Sequence, residues 1–595
     1  MIMKRISIAL AIFAALSLTV SCDKQLDVVN PNNQTTYDFG NTEADLNEAI
    51  ISCYNRIRLE GTFSRVGNTM DAVRGDEVWN SSQIWYLNYD NLNAPNSGEV
   101  ATYGGLWIWR DAFHVVNRCN FVISKVEGVD EKTKQTDPYK QILGQALFLR
   151  GLAYYHLATY YQNVPLYTKY EDYSSLETIY APCAPQDTVF NQIDKDLVAA
   201  MELLPSRDAG GEWAKGRATC GAAAGYYARS LMFRHRFKEA LEVLEAIIAG
   251  TYGHYQLMAD YGDNFREGTA YENNAESLFE VQFLDYGMGG TDEEWTPVNI
   301  SKNSTQGHAV ESNYGSGELG SWGDLAISPW LYNLFKAEKC TDNRLDPRLY
   351  WTAGTYEPEY DTYTGIITDA YPKGDPRSNV LYMNEITKTP LANPQNGGIS
   401  ITKFTNARNN VYSTITTGLH CGVNLRLMRY SDVLLRAAEC ENEVNGPTEK
   451  AINWINEVRT RVALPKLNHE DFAGNADKLF EQIANVERPK EFGCENGRGV
   501  DLIRWGFFYD DGRLNQIKQH SCYMLDGTAS TVELTTETAS DYSYKYYTKG
   551  HEYFPIYQGT LNANPNLTGN SANTNTDNGE AFRAKGWTVR PVVAL

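Results

Sequence analysis

A chain of 595 residues with a formal net charge of −21 is long enough for a large core and lacks the basic footprint that binding a polyanion draws on, which excludes nucleic acid as a partner. Its ten cysteines are scattered without close pairs, CxxC or zinc-ligand spacing, so neither a disulfide framework nor a zinc site organises the fold. The more telling excess is aromatic: 39 Tyr and 12 Trp put many flat rings at the surface, where they suit sugars or peptides.

At the start, Lys4 and Arg5 precede a mostly apolar run, Ile6 to Val20, then Ser21 and Cys22. This reads as a secretory signal, too short to span a bilayer, that ends on a cysteine instead of the usual small-residue cleavage site. The stretch "LTVSCDKQLD" resembles a bacterial lipobox, which makes Cys22 the lipid attachment point and tethers the mature chain to a membrane without spanning it. The polar, Asn-rich stretch that follows is a tether, and Thr42 reads as a helix N-cap. After it Leu46, Ala49, Ile50, Cys53, Tyr54 and Ile57 recur at helical spacing.

The same period returns in "LGQALFLRGLAYYHLATYY", in "KEALEVLEAIIAG" stopped by Gly250, and in "EKAINWINEVRTRV". The helices come in pairs with short connections and carry Ala and Gly where neighbours would approach, which resembles tetratricopeptide-type hairpins. The expected fold is therefore mostly α: tetratricopeptide-like hairpins forming a platform, with long irregular, loop-rich insertions. The divisions are a signal peptide over 1–21, a lipid-anchored tether over 22–40, an N-terminal helical region over 41–284, an irregular excursion over 285–421, C-terminal helices over 422–519 and an irregular final segment over 520–595. Long ordered loops on a rigid scaffold are where binding residues concentrate.

Two of the less regular segments carry the rings of interest. Trp79, Trp85 and Tyr86 lie in "DEVWNSSQIWYLNYDN", and Trp295, Tyr314 and Trp322 lie in the irregular excursion. Sugar rings present C–H faces that stack on aromatic planes while neighbouring polar groups bond the hydroxyls; Asn80, Asn88, Asp90, Asp324 and Arg74 are the nearby candidates. Trp107 and Trp109, on a helical stripe, are expected in the core.

Strings in order along nearly the whole chain carry a family resemblance. "LDVVNP", "DAVRGDEVW", "WIWRDAFHVVNRCN", "GQALFLRGLAYYHLATYYQNVPL", "GRATCGAAAGYYAR", "AESLFEVQF", "LRLMRYSDVLLRAAECENEV", "INEVRTRV", "ERPKEF" with "GRGVDLIRWG", and "YFPIYQGTLNANPNL" together resemble the SusD/RagB family of Bacteroidetes surface lipoproteins. Gln145 and Leu147 depart from the family's Glu and Arg at those positions, and Pro489 falls in a stretch normally helical, where it is expected to kink or shorten the helix. The resemblance implies a non-catalytic, cell-surface, outer-membrane lipoprotein without cofactor or metal. Such a protein captures oligosaccharide, or in some members peptide, and closes as a lid over a SusC-like TonB-dependent transporter. The glycan platform of the family is drawn from the two aromatic segments above.

An enzyme reading from a different class, a cell-surface glycoside hydrolase, would need two suitably spaced carboxylates. Asp76 and Glu77 are adjacent and point different ways, and Asp432 and Glu439 have Arg429 and Arg436 at hand as partners. Glu487, Arg488, Glu491, Arg498, Asp501 and Arg504 read as an ion-pair network that fixes the last helices. "GSGELG" lacks the flanking strand and helix of a dinucleotide site, and "HEDFA" and "HEYFP" lack the second His of a zinc protease.

Overall fold

The computed structural model describes residues 39–79, 85–86, 89, 92–170, 175–284, 307–315, 321–354, 400–405, 421–495, 497–520, 547–567 and 577–595. Cys22 and the signal peptide, the tether up to residue 38, Trp295, Asn80, Asn88, Asp90 and most of the 285–421 excursion lie outside the described residues.

Helix α1 (Glu43–Arg56) starts where the sequence places it. Thr42 Oγ1 accepts from the Asp45 N–H at 3.1 Å while the Asp45 carboxylate accepts from the Thr42 N–H at 3.1 Å, a reciprocal cap that satisfies two donors a helix start leaves open. Its stripe of Leu46, Ala49, Ile50 and Cys53 is buried against α3 (Trp107–Glu127) and α4 (Asp137–Tyr161). From Ile142 onward α4 buries residues on every face, as a helix surrounded by others must. Arg150 at its centre ties three helices. Its guanidinium forks onto Asp196 of α5 (Gln186–Leu203) at 2.7 Å through both Nε and Nη2, and donates to Asn120 of α3 at 2.8 Å.

From there the chain stacks helix on helix: α5 on α6 (Cys220–Phe233), α6 on α7 (Phe237–Ile248), α7 on α8 (Tyr430–Asn445) and α8 on α9 (Glu449–Arg461). This is the mostly helical platform of tetratricopeptide-like hairpins that the periodicity indicated. Gly250 closes α7 in the left-handed region at φ 80°. Among the described residues, no helix is long and apolar enough to cross a membrane. Strands are short and paired in twos: β1 (Val78–Trp79) with β5 (Ala326–Ile327), β2 (Val164–Pro165) with β3 (Cys183–Ala184), and β4 (Ser277–Val281) with β6 (Leu425–Arg429), all antiparallel.

The excursion is less irregular than expected. Within it Pro329–Lys336 forms a helix capped by Ser328, with Leu331 and Phe335 fully buried, and Pro347–Thr352 forms another. The apolar run "PWLYNLFK" is only eight residues long, so its helical period is hidden among the surrounding Gly, Pro and Asn. The last segment likewise contains short helices at Gln558–Ala563 and Asn578–Ala584. Pro489 has the expected effect: α10 (Ala476–Gln482) runs into a π-helical turn at Ile483–Glu487, and α11 (Arg488–Phe492), with the proline at its start, ends after five residues.

Close approach of backbones positions one further helix. In α2 (Arg65–Val73), a methyl on Gly67 would drive into the carbonyl oxygen of Thr62, and one on Gly61, just before α2, into the carbonyl of Trp107. Only glycine lets α2 lie against the start of α3 this tightly.

Candidate functional site

The two-residue pairing of β1 with β5 sets Trp79 opposite Ala326 and so joins segments about 250 residues apart in the chain. Rings that follow β1 and precede β5 in the chain come together through Tyr103 and Arg65. Trp85, half-buried, lies 5.3 Å from Tyr103, which in turn lies 5.3 Å from Trp107 and 6.0 Å from Tyr86. The Arg65 guanidinium of α2 sits 5.7 Å from the Tyr103 ring centroid and 5.2 Å from that of half-buried Trp322. Arg65 is held in that position by a two-point ion pair, Nε and Nη2 donating to the two Glu60 oxygens at 3.1 and 2.7 Å.

Tyr103 enters the cluster because the chain makes a π-helical turn at Thr102–Leu106, next to Gly104 and Gly105. Gly104 faces the Tyr89 ring with no room for a side chain, and the Tyr89 hydroxyl accepts from the Gly105 N–H at 3.0 Å. Trp322 is fixed through its backbone, its N–H donating to the Ser312 carbonyl at 2.7 Å. Asp324 beside it is buried and accepts from the Asn313 amide at 2.6 Å; burial pushes its carboxyl up to about 6. The cluster thus sets two half-buried indoles, Trp85 and Trp322, around a buried Tyr103 and a buried Arg65–Glu60 pair, an arrangement that can hold ring faces for stacking.

Of the sequence-derived candidates, Trp85, Tyr86 and Trp322 come together here. Tyr86 and Tyr314, expected to face a ligand, lie beneath the surface instead: both are fully buried. Burial obliges each hydroxyl to find a partner inside the protein; Tyr86 meets the Tyr103 hydroxyl at 2.7 Å and Tyr314 donates to Asn68 at 3.0 Å. The Trp79 side chain, Trp295 and Cys22 are outside the described residues. Arg74, a candidate hydroxyl partner, is buried and donates to the Thr159 carbonyl at 2.9 Å, 4.3 Å from the Tyr160 ring. Trp107 and Trp109 are buried, as the helical stripe required. Sequence reasoning missed Tyr103 and Arg65. A Tyr directly before Gly-Gly, ahead of "LWIW", was the available signal for the first; nothing local marks the second.

Apart from Glu77, the acidic residues that invite an enzyme reading are engaged with cations. Asp432 accepts from Arg229, Arg436 and Arg488, and Asp501 from Arg488 and Arg504. Asp76 is bound by Arg498 at 2.6 Å and by the His520 ring at 2.7 Å. Although burial opposes ionisation at each, these guanidiniums hold the Asp76, Asp432 and Asp501 carboxyls well below the usual range. Arg429 differs from expectation. It does not partner Asp432; it reaches Glu276, Glu491 and Glu495, because it ends β6, where the strand register sets it against Ser277, next to Glu276. Glu77 is separate from Asp76, accepting from the Cys494 N–H at 3.2 Å, and burial pushes it up to about 8. Among the described residues no cluster of His, Cys, Asp and Glu could hold a metal ion.

A family model described as "SusD family" matches residues 275–573, and a second, described as "Starch-binding associating with outer membrane", matches residues 24–232. A SusD-like protein, P25, of Formosa agariphila is 23% identical over 487 residues, covering 79% of this chain and 84% of its own. Among solved structures, a SusD superfamily protein from Bacteroides vulgatus superposes with a TM-score of 0.64 at 23% identity, covering 89% of this chain and 99% of the other. Surface glycan-binding protein A from Bacteroides thetaiotaomicron, in complex with laminarihexaose, superposes with a TM-score of 0.60 at 20% identity, covering 87% and 97%.

Proposed function

Because this chain belongs to the SusD family, we propose that it is a glycan-binding lipoprotein of the outer membrane, without a reaction of its own. It is anchored through Cys22 and delivers oligosaccharide to a SusC-like TonB-dependent transporter, over which it acts as a lid. The observation that carries the reading is the meeting of Trp85 and Trp322 around Tyr103 and Arg65. Two half-buried indoles from remote segments offer apolar faces, the Trp322 indole backed by the buried Arg65–Glu60 ion pair. Trp79 and Trp295 are proposed as further ring contacts of the ligand, while buried Tyr86 braces Tyr103 through its hydroxyl. Two further facts support it: a structural relative is bound to laminarihexaose, and Asp76, Asp432 and Asp501 are tied up by arginines, which leaves these three poor general acids at neutral pH.

A glycan array on the chain from Asp23 onward, run beside Trp85→Ala and Trp322→Ala, tests it. Binding to at least one glycan class that falls about tenfold or more in each variant is expected, since stacked aromatic contacts contribute about 1–3 kcal/mol apiece. Silence across every glycan together with binding to a peptide panel would replace glycan by peptide as the cargo. Product release from a bound glycan would restore the hydrolase.

A further inference from the structure

A cavity of about 70 Å³ lies among α2, α4, α6, β6 and the helix Arg498–Arg504, and none of its lining residues belongs to the aromatic cluster. With ~10–15 Å³ needed to seat one water, it holds a molecule of a few heavy atoms. Phe63, Leu152 and Val500 give it apolar walls, and half-buried Arg229 and Leu427 connect it to solvent. Tyr155, Tyr226 and Arg229 line it side by side. The two tyrosine rings meet edge to face at 5.7 Å, and the guanidinium lies 4.9 Å from the Tyr226 centroid.

Arg229 is the outer member of an ion-pair network. Its Nε and Nη2 donate to Asp432 Oδ2 at 3.2 and 2.7 Å. Asp432, Asp501 and Glu439 in turn bind Arg436, Arg488 and Arg504. Among the described residues, four guanidiniums therefore share three carboxylates, which leaves one positive charge in excess inside the protein. The other titratable groups at the cavity do not cancel it. Asp71 on α2 is answered by Arg74, and burial holds His156 near 4, so its imidazole is neutral at neutral pH. An uncompensated buried charge is unfavourable, and an anion in the cavity would neutralise it.

Donors for such an anion are in place. Arg229 Nη1 makes no hydrogen bond among the described residues, and neither do the Tyr155 and Tyr226 hydroxyls, although Tyr155 is 9% and Tyr226 3% exposed. Buried polar groups are normally satisfied, so these three mark a place that a bound molecule completes. A guanidinium and two hydroxyls suit the two oxygens of a carboxylate. The single excess charge calls for a monoanion, and the apolar walls suit a short alkyl tail. We propose that this cavity binds a short-chain monocarboxylate, whose oxygens take Arg229 Nη1 and the Tyr155 and Tyr226 hydroxyls. The site is independent of the Trp85–Trp322 cluster and of its ligand.

Calorimetric titration of the mature chain with acetate, propionate and butyrate tests it, beside chloride and neutral propionamide at matched ionic strength, with a thermal melt for each probe. The variant is the double change Tyr155→Phe and Tyr226→Phe, which removes only the two hydroxyls. At least one carboxylate should bind and raise the melting temperature with its concentration, while chloride and propionamide do neither. The double variant should bind that carboxylate about tenfold or more weakly, the loss of hydrogen bonds to a charged group. Without any probe it should melt as the unsubstituted chain does, since the oxygens it loses bond nothing in the protein. Binding of none of the three carboxylates, equal binding of chloride or propionamide, unchanged affinity in the double variant, or a probe-free melt well below that of the unsubstituted chain would each overturn it.

Discussion

Arg65 is buried under two aromatic rings and tied to Glu60, with side-chain exposures of 2% and 5% for the pair. A charge in that position is tolerated only while its partner is present; removing one member of a buried pair costs about 3–5 kcal/mol, whereas replacing both with apolar groups is often neutral. Arg65→Met should therefore lower the unfolding free energy by about that amount in urea titration, and adding Glu60→Met should recover most of it. Glycan binding should stay weak in both variants, since neither restores the guanidinium between Tyr103 and Trp322. At this scale the sequence was informative about rings and uninformative about what holds them. Trp85 and Trp322 stand out in non-periodic stretches, but burial of Tyr86 and Tyr314 depends on hydroxyl partners, Tyr103 and Asn68, that come from elsewhere in the chain.

Elements bring those partners together through contacts that leave no trace in periodicity. The turn entering helix α2 folds back on Gly67, whose absent side chain admits the Thr62 carbonyl. Backbone cannot yield as a flexible side chain can, so Gly67→Ala should cost about 3 kcal/mol or more, the upper end for overpacking. Because α2 also carries Arg65 and Asn68, glycan affinity should drop in the same variant, read by thermal melt and titration together; a stable Gly67→Ala chain would mean that α2 is not packed as described. The long amphipathic helices were legible because each buries one stripe, and Thr42 and Gly250 marked boundaries correctly. Pro329–Lys336 was not, since eight residues give too little period to rise above a Gly- and Pro-rich background. The β1–β5 pairing, two residues long, is set by tertiary packing alone.

Across the molecule, buried ion pairs join the C-terminal helices to one another and to Asp76, as the charge pattern of that region indicated; the identity of Arg429's partners depended on β6 and was not readable. These pairs make stability depend on pH. Asp76, Asp432, Asp501 and Glu491 have carboxyls held below their unfolded values by facing guanidiniums. As pH falls through the unfolded range, the unfolded chain takes up protons that the folded chain refuses, so their contribution is full above about pH 5 and is lost below it. Glu77 has the opposite sign. Raised from 4.5 to about 8, it contributes most at low pH and loses that contribution as pH rises toward 8. Urea midpoints should fall steeply below about pH 4, and Glu77→Gln should gain on the unsubstituted chain between pH 5 and pH 8; a gain that shrinks over that interval would refute the sign.

Two segments remote in sequence, around Trp85 and Trp322, are proposed to form one glycan site. A double-mutant cycle measures that directly: the affinity of the best array glycan for the unsubstituted chain, Trp85→Ala, Trp322→Ala and the double variant. Each single change should weaken binding and the two losses should be non-additive, with a coupling of about 0.5 kcal/mol or more as expected for residues that share a ligand. Unchanged affinity in either variant, or strictly additive losses, would contradict it.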